Sequence, residues 1–389
     1  MRIAFLSTFY PFRGGIAQFN ANVYRALENE NDFDTLKSKS NKEKKIQAFN
    51  FTRLYPSLFF PGKTQFVEEN DSADKIPSER ILDSINPLSY YQTAKAIKAF
   101  SPDLLLLDYW HPFFAPSLGM VAKLLKRDKV TVISIMSNVI PHEHKPGDEI
   151  LTKYFLKHND AFIVLAESVK NDLISLKNDA KYRIHPHPVY EHFGMKLQKS
   201  EARKKLQLSN DKKIVLFFGL IRHYKGLDIL IEAFSQLPND YHLLIVGEIY
   251  GDEKEYKELI EKYNLQQKVT LINKYVPDNE VSPYFSAADV CVLPYRSATQ
   301  SGVIGVAYHF NLPVITTNVG GLKEVIEPFQ TGMIIEKAEV NLIKEGILKF
   351  FHSNLSEFYS SNIEKFKLQY NWKSFVNEIA KLFKELNNS

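Results

Sequence analysis

Two cations three positions apart, Arg222 and Lys225, stand between glycines in the stretch Phe217-Phe218-Gly219-Leu220-Ile221-Arg222-His223-Tyr224-Lys225-Gly226. The apolar run 214–218 reads as a buried strand ending at Gly219, and the pattern after Gly226 reads as a helix. A planar guanidinium fork and a compact ammonium beside a helix start suit the oxygens of a nucleotide diphosphate. They suit them better still as negative charge develops there on bond cleavage. The plain alternative is a solvated loop with two exposed cations. A second stretch, Leu293-Pro294-Tyr295-Arg296-Ser297-Ala298-Thr299-Gln300-Ser301-Gly302-Val303-Ile304-Gly305, also leaves an apolar strand and opens a helix. Its small residues let backbone N–H groups approach phosphate, while Thr299, Gln300 and Ser301 add polar side chains. A simple helix cap at Thr299 or Ser301 is the alternative, and a helix N-terminus is itself an anion site.

Two further stretches lie in the first half. Phe9-Tyr10-Pro11-Phe12-Arg13-Gly14-Gly15-Ile16-Ala17 places Gly14 and Gly15 between a strand and a helix, where a ligand or only a turn could need them. It is not G-x-G-x-x-G, which weakens a dinucleotide-dependent dehydrogenase reading. Ser134-Ile135-Met136-Ser137-Asn138-Val139-Ile140-Pro141-His142-Glu143-His144 offers Asn138, His142 and Glu143 after another strand. Position 146 is proline, so the zinc spacing H-E-x-x-H is missing and no metal site is expected. Trp110-His111-Pro112 could shape an acceptor pocket or be a buried aromatic beside a satisfied histidine. Pro61-Gly62-Lys63-Thr64 ends like a phosphate-binding P-loop, but Ser57 stands where the first glycine should be.

These loops need elements to hold them. Strand patterns at 3–7, 104–108, 130–135 and 161–165 alternate with helical patterns such as 17–27 and 118–126. A second series has strands at 214–218, 242–246, 269–272, 290–293 and 314–316, with helices near 227–237, 253–263, 281–287 and 303–310. Alternation of this kind predicts two doubly wound α/β domains with parallel sheets. The Pro-rich stretch from Ile184 to Val189 is the natural linker. The expected domains are 1–188 and 189–370, with 371–389 as a final helix crossing back, and the chain is read as helical beyond Gly332. Residues 31–80 receive no assignment beyond a loop on the acceptor side.

Composition sets outer bounds. The chain has 389 residues, 44% hydrophobic and 24% charged, which suits two globular domains. Cys291 is the only cysteine, so an intrachain disulfide and a multi-cysteine metal site are excluded and a reducing, cytoplasmic setting is expected. The net charge of +4 is too small to imply nucleic acid. The excess sits in the first half, which permits peripheral contact with the inner face of an anionic membrane. No stretch approaches the ~20 apolar residues of a membrane span, and the short apolar start reads as a strand rather than a signal peptide. The sequons at Asn50, Asn70 and Asn354 carry no meaning in a cytosolic setting.

Taken together the motifs resemble the family 4 glycosyltransferases, retaining enzymes of GT-B fold, in which two Rossmann-like domains face each other across a cleft. The resemblance runs over nearly the whole chain and is most specific from Phe217 to Val325. It matches Arg222 and Lys225 to the family's diphosphate-gripping pair and Lys274-Tyr275-Val276 to its base-recognition loop. It also matches Gly14-Gly15 to its N-terminal glycine loop, and Leu312-Pro313-Val314-Ile315-Thr316-Thr317 with Gly320-Gly321 to a signature late in the domain. It implies donor binding by Gly219, Arg222, Lys225 and the 299–303 loop, no metal or other cofactor, and a glycan or lipid-linked acceptor. Asn138 is carried as a catalytic candidate beside Ser137, which stands where the family usually has histidine. Two glutamates that the family usually carries fall at Ala298 and Val306. Either Thr299-Gln300-Ser301-Gly302 supplies an alternative donor site, or the chain binds a nucleotide sugar without efficient transfer. A nucleotide-sugar-binding subunit of a glycan-assembly complex, a GT-B epimerase and an unrelated α/β ligand binder are the competing classes.

Overall fold

The computed structural model describes residues 1–29, 45–56, 64–67, 73–140, 145–189, 193–298 and 301–388. The chain divides into two compact units, residues 1–186 together with 371–389, and residues 187–370. In the first unit the elements are β1 (Ile3–Leu6), α1 (Gly15–Asn29), β2 (Ile46–Arg53), β3 (Ser78–Asp83), α2 (Pro87–Ala99), β4 (Leu104–Tyr109), α3 (Ala115–Arg127), β5 (Thr131–Met136), α4 (Asp148–Lys157), β6 (Ala161–Val164), α5 (Glu167–Leu176) and β7 (Tyr182–Ile184). The second unit runs α6 (Lys199–Lys205), β8 (Lys213–Phe218), α7 (Leu227–Ser235), β9 (Tyr241–Val246), α8 (Glu253–Lys262), β10 (Val269–Ile272), α9 (Ser282–Ala287), β11 (Val290–Leu293) and α10 (Gly302–His309). It ends with β12 (Val314–Thr317), α11 (Leu322–Ile326), β13 (Gly332–Ile335), α12 (Val340–His352) and α13 (Leu355–Gln369); α14 (Trp372–Asn387) returns to the first unit.

Each unit is a parallel sheet between helices, which is why its central strands are continuous apolar runs rather than alternating ones. All six residues of β4 and all four of β11 are buried. The first sheet has the order β3-β2-β1-β4-β5-β6-β7 and the second β10-β9-β8-β11-β12-β13. In both, the winding reverses at a central strand pair, β1/β4 and β8/β11. A doubly wound sheet opens its ligand crevice there, beyond the carboxyl ends of the strands. The Gly14–Gly15 loop leaves β1, and the Arg222/Lys225 loop leaves β8, so topology puts both at such points.

Two expectations need correction. The unassigned stretch 31–80 contributes all of β2 and the start of β3; β2 forms the inner partner of β1 through Ile3/Ile46 to Leu6/Phe49. Its polar residues Gln47, Asn50 and Thr52 broke the apolar run that marks the other strands. Beyond Gly332 the chain is not purely helical, because Gly332–Ile335 pairs in parallel with β12. A side chain at Gly332 would meet the Val314 carbonyl oxygen at 2.0 Å, so glycine permits this close pairing.

The final helix is tied to the first unit by packing. Asn371 and Ser374 form a reciprocal cap at its start. Phe19 of α1 meets Trp372 and Phe375 edge-on at 5.4 and 5.6 Å. His185 Nε2 lies 2.9 Å from Ser374 Oγ, and Arg183 reaches Glu378 at 2.7 Å and also Glu385. Replacing the fully buried Phe375 by alanine removes the centre of this contact and should cost about 3–5 kcal/mol of stability. Denaturant titration checks it, and a loss well under ~1 kcal/mol would mean that α14 is not integral to this unit.

Candidate functional site

The strand β8 ends in a backbone that a side chain would not tolerate. Gly219 has φ +105°, and a Cβ there would lie 3.2 Å from Val303 Cγ2 and 3.4 Å from Lys225 Nζ. Gly247, at φ +151°, lets the end of β9 press on it; a Cβ at Gly247 would meet the Gly219 carbonyl oxygen at 1.9 Å. Pairing continues past both strands, with Ile221 N–H donating to the Glu248 carbonyl at 2.8 Å and Tyr250 N–H to the Ile221 carbonyl at 2.9 Å. One 3₁₀ turn, His223–Lys225, then leads to Gly226 at φ +70° and into α7.

This loop gathers positive charge. Burial first, and then the Arg222 guanidinium, pull the Lys225 ammonium down to about 8. Its Nζ lies 5.5 Å from the Tyr295 ring centre, and the Arg222 guanidinium lies 5.0 Å from that of Tyr250. Among the described residues neither cation has a carboxylate partner within 4.0 Å. A neighbouring arginine does have one. Arg296 grips both oxygens of Asp228, at 2.8 and 2.5 Å, and donates to the His223 carbonyl at 2.7 Å, while its own backbone N–H donates to the Tyr224 carbonyl at 2.7 Å. The loop after β11 thereby holds the turn that carries Lys225. The sequence reading gave no role to Arg296, Asp228, Gly247 or Tyr250; their pairings join positions 28 to 73 residues apart, which no local pattern reveals.

The second stretch completes the same site. Ser301 is the residue before α10, Gly302 is its first residue, and Val303 faces Gly219. Ser301 Oγ lies 3.3 Å from the Tyr295 hydroxyl. Thr299 and Gln300 lie outside the described residues. Ala298 and Val306 are both buried apolar side chains, so neither supplies the carboxylate that the resemblance would place there. In the stretch 274–276, Lys274 Nζ is paired with Glu280 at 2.6 Å, Val276 is buried and Tyr275 is exposed.

Gly14, Gly15 and Asn138 belong to the first unit, at the carboxyl edge of its sheet. Gly14 takes φ +112°, and a Cβ on either glycine would have no heavy atom within 4 Å. The preceding loop is held by the fully buried Asn50, whose Nδ2 donates to the Tyr10 carbonyl at 2.9 Å. Asn138 is half-buried, directly after β5. Beside it Ser137 Oγ donates to Asp108 Oδ1 at 3.0 Å, and burial pushes that fully enclosed carboxyl up to about 7. His111 is a structural residue: its Nδ1 accepts the Phe113 N–H at 3.1 Å and caps a short 3₁₀ turn. Trp110 Nε1 donates to the Tyr55 hydroxyl at 3.3 Å. His142 and Glu143 lie outside the described residues, as do Gly62 and Lys63. The described residues contain no group of three or more histidine, cysteine or carboxylate side chains able to hold a metal ion.

The paired parallel sheets and the glycine-bounded cation loop define a GT-B protein, and solved structures agree on the fold. A sucrose-phosphate synthase from Thermosynechococcus elongatus superposes with a TM-score of 0.72 at 19% identity, covering 100% of this chain and 99% of that one. Anabaena HepE, solved in complex with UDP, superposes with a TM-score of 0.75 at 16% identity, covering 99% of this chain and 100% of its own. Residues 198–369, within the second unit, match the family Glycosyl transferases group 1. An uncharacterized glycosyltransferase of Methanocaldococcus jannaschii is 24% identical over 394 aligned positions, 100% of this chain and 99% of the relative.

Gly226 offers a check on the loop geometry. A Cβ there would sit 2.1 Å from the Pro294 carbonyl oxygen, in a left-handed backbone. Gly226→Ala should therefore destabilise the second unit by about 1–3 kcal/mol. A thermal melt unchanged from the parent would contradict the close approach of the two loops.

Proposed function

We propose that this protein is a retaining glycosyltransferase that moves a sugar from a nucleotide-diphosphate sugar to a hydroxyl of a glycan or lipid-linked glycan. The observation that carries the reading is the Arg222/Lys225 pair, two cations without carboxylate partners among the described residues, fixed over a strand end by glycines and by Arg296. Keeping like charges together costs free energy in the empty protein, and a bound diphosphate offsets it. The donor's diphosphate lies against Arg222, Lys225 and the start of α10 at Gly302. The bond between the anomeric carbon and the phosphate oxygen breaks, and its electron pair leaves on the diphosphate. The acceptor oxygen forms the new bond on the same face and gives its proton to the departing phosphate oxygen. The two cations stabilise the developing charge, the role a metal ion plays elsewhere, so no metal is required. The base stacks toward Tyr275 and Val276, and the loops at Gly14–Gly15 and Asn138 serve the acceptor.

Removing one such preorganised donor costs about 3 kcal/mol of transition-state stabilisation. Arg222→Ala combined with Lys225→Ala should abolish measurable transfer and donor hydrolysis, followed by mass spectrometry over UDP-, GDP- and ADP-sugars chosen by thermal shift. Turnover equal to the parent's would refute the proposal. A second reading, a nucleotide-sugar-binding subunit without transferase activity, is favoured by one observation, the buried apolar side chains at Ala298 and Val306. It predicts nucleotide binding with neither hydrolysis nor transfer in the parent chain. A GT-B epimerase would instead release free nucleoside diphosphate and an altered sugar.

The lowered Lys225 value gives a separate test. Above about 8 the free ammonium loses its proton, and a bound diphosphate raises the pKa again, since an opposite charge favours the charged form. Nucleoside diphosphate binding should therefore take up a proton just above that pH and weaken as pH rises further. Calorimetry in buffers of different ionisation enthalpy reads the uptake, and Lys225→Met should eliminate it. A heat independent of buffer in the parent would place the ammonium away from the phosphates.

A further inference from the structure

Three adjacent helices of the first unit, α2, α3 and α4, share a surface pattern that the donor site does not use. They pack side by side, α2 on α3 and α3 on α4, over one face of the sheet. Each crosses between parallel strands, so each runs against them, with its N-terminus at the carboxyl edge of the sheet. On the outer side α2 and α4 expose large apolar residues in the first half, the one on α4 beside the acidic Asp148 and Glu149, and all three helices are cationic in the second half. On α2, Leu88 and Tyr91 are 71% and 55% exposed, and Lys95 and Lys98 follow on the same stripe. On α3 the partly exposed Met120 is followed by Lys123 and Arg127. On α4, Ile150 is 74% exposed, and Lys157 ends the helix.

The charge on this face is large for the chain. Residues 87–99, 115–129 and 148–160 hold eight lysines and arginines against four carboxylates, an excess equal to the whole chain's +4. Among the described residues three of the cations are paired, Lys98 with Asp128, Lys126 with Asp160 and Lys153 with Glu149. Lys95, Lys123, Arg127, Lys129 and Lys157 have no such pair among the described residues. The cations converge on one place: burial and then Lys123, Lys157, Lys126 and Arg127 hold His158 below its ordinary value. Cations in the last turn of a helix also complement its dipole, but that accounts for neither the exposed apolar residues nor the repetition on three neighbours.

We propose that the α2–α3–α4 face docks on an anionic lipid bilayer, with Leu88, Tyr91 and Ile150 entering the interfacial layer and the lysines and Arg127 lying at headgroup level. Leu88 and Lys98 are about 15 Å apart along their helix, enough to separate an inserted edge from a cationic belt, since interfacial apolar faces enter about 5–10 Å. Nucleic acid or an acidic protein would match the belt and leave the apolar edge unexplained; the combination favours lipid. The inserted edge is the carboxyl edge of the sheet, where Gly14, Gly15 and Asn138 lie, so the inference deepens the acceptor side of the proposed function and names a lipid-linked acceptor. It rests on that reading for the acceptor alone.

The full chain should co-sediment with vesicles of phosphatidylcholine plus phosphatidylglycerol, not with phosphatidylcholine alone, and binding should fall as salt is raised. Each lysine near an anionic surface contributes about 1 kcal/mol, so Lys123→Glu with Lys157→Glu should lower the partition coefficient at least about tenfold. Leu88→Ser with Ile150→Ser should weaken binding and leave its salt dependence in place. Solution donor hydrolysis and thermal melts should match the parent's in both variants, which separates a failure here from a failure of the donor-site reading. Equal binding to both vesicle types, no binding to either, parent-like binding by both variants, or a concentration-dependent dimer that the variants abolish would each overturn the proposal.

Discussion

The structure of the second unit turns on keeping two positive charges close together with no carboxylate among the described residues to neutralise them. Arg222 and Lys225 repel each other, and burial makes the Lys225 ammonium costlier still. Neighbouring features hold the arrangement in place. Gly219 and Gly226 take left-handed backbone that lets the loop fold tightly over the strand ends. The Arg296–Asp228 pair, itself neutral, fastens the turn from the adjoining loop. Aromatic rings of Tyr250 and Tyr295 lie beside the two cations and supply a weak, polarisable counterweight. A site built this way is preorganised for an anion, because the electrostatic work of assembling it is done during folding.

The two units repeat one solution with different chemistry. Each opens a crevice where its winding reverses, and each lines it with a glycine loop leaving the first strand of the reversal. In the second unit that loop carries cations. In the first it is held by Asn50, and the neighbouring strand ends bury Asp108, whose carboxyl burial drives toward the neutral form. A half that presents a cation pair and a half that buries a carboxyl suit partners of different charge.

Much of this was legible in the sequence where a single local signal sufficed. Buried parallel strands announce themselves as apolar runs, so β1, β4, β8 and β11 were readable to within a residue or so. The two doubly wound parallel sheets followed from the alternation. What escaped was whatever depends on distant partners. β2 is a central strand whose polar residues are satisfied by tertiary contacts, Asn50 with Tyr10 and Thr52 with Leu82. β13 is a short run beginning with a glycine that reads as a turn. Arg296 received no role because its partner Asp228 lies on α7, across the strand pair. Sequence could single out the loops that leave these strands; the contacts that hold those loops needed the structure.

The order in which the chain is built gains meaning from the return of its last helix. The first unit leaves off at Pro186 and resumes only at Asn371, with the second unit lying wholly between. Until the final residues exist, Phe19 and its neighbours on α1 lack their cover of Trp372 and Phe375. On the ribosome, then, the half made first waits for residues 371–387, and the second unit has its entire sequence available while its predecessor still exposes a greasy seam.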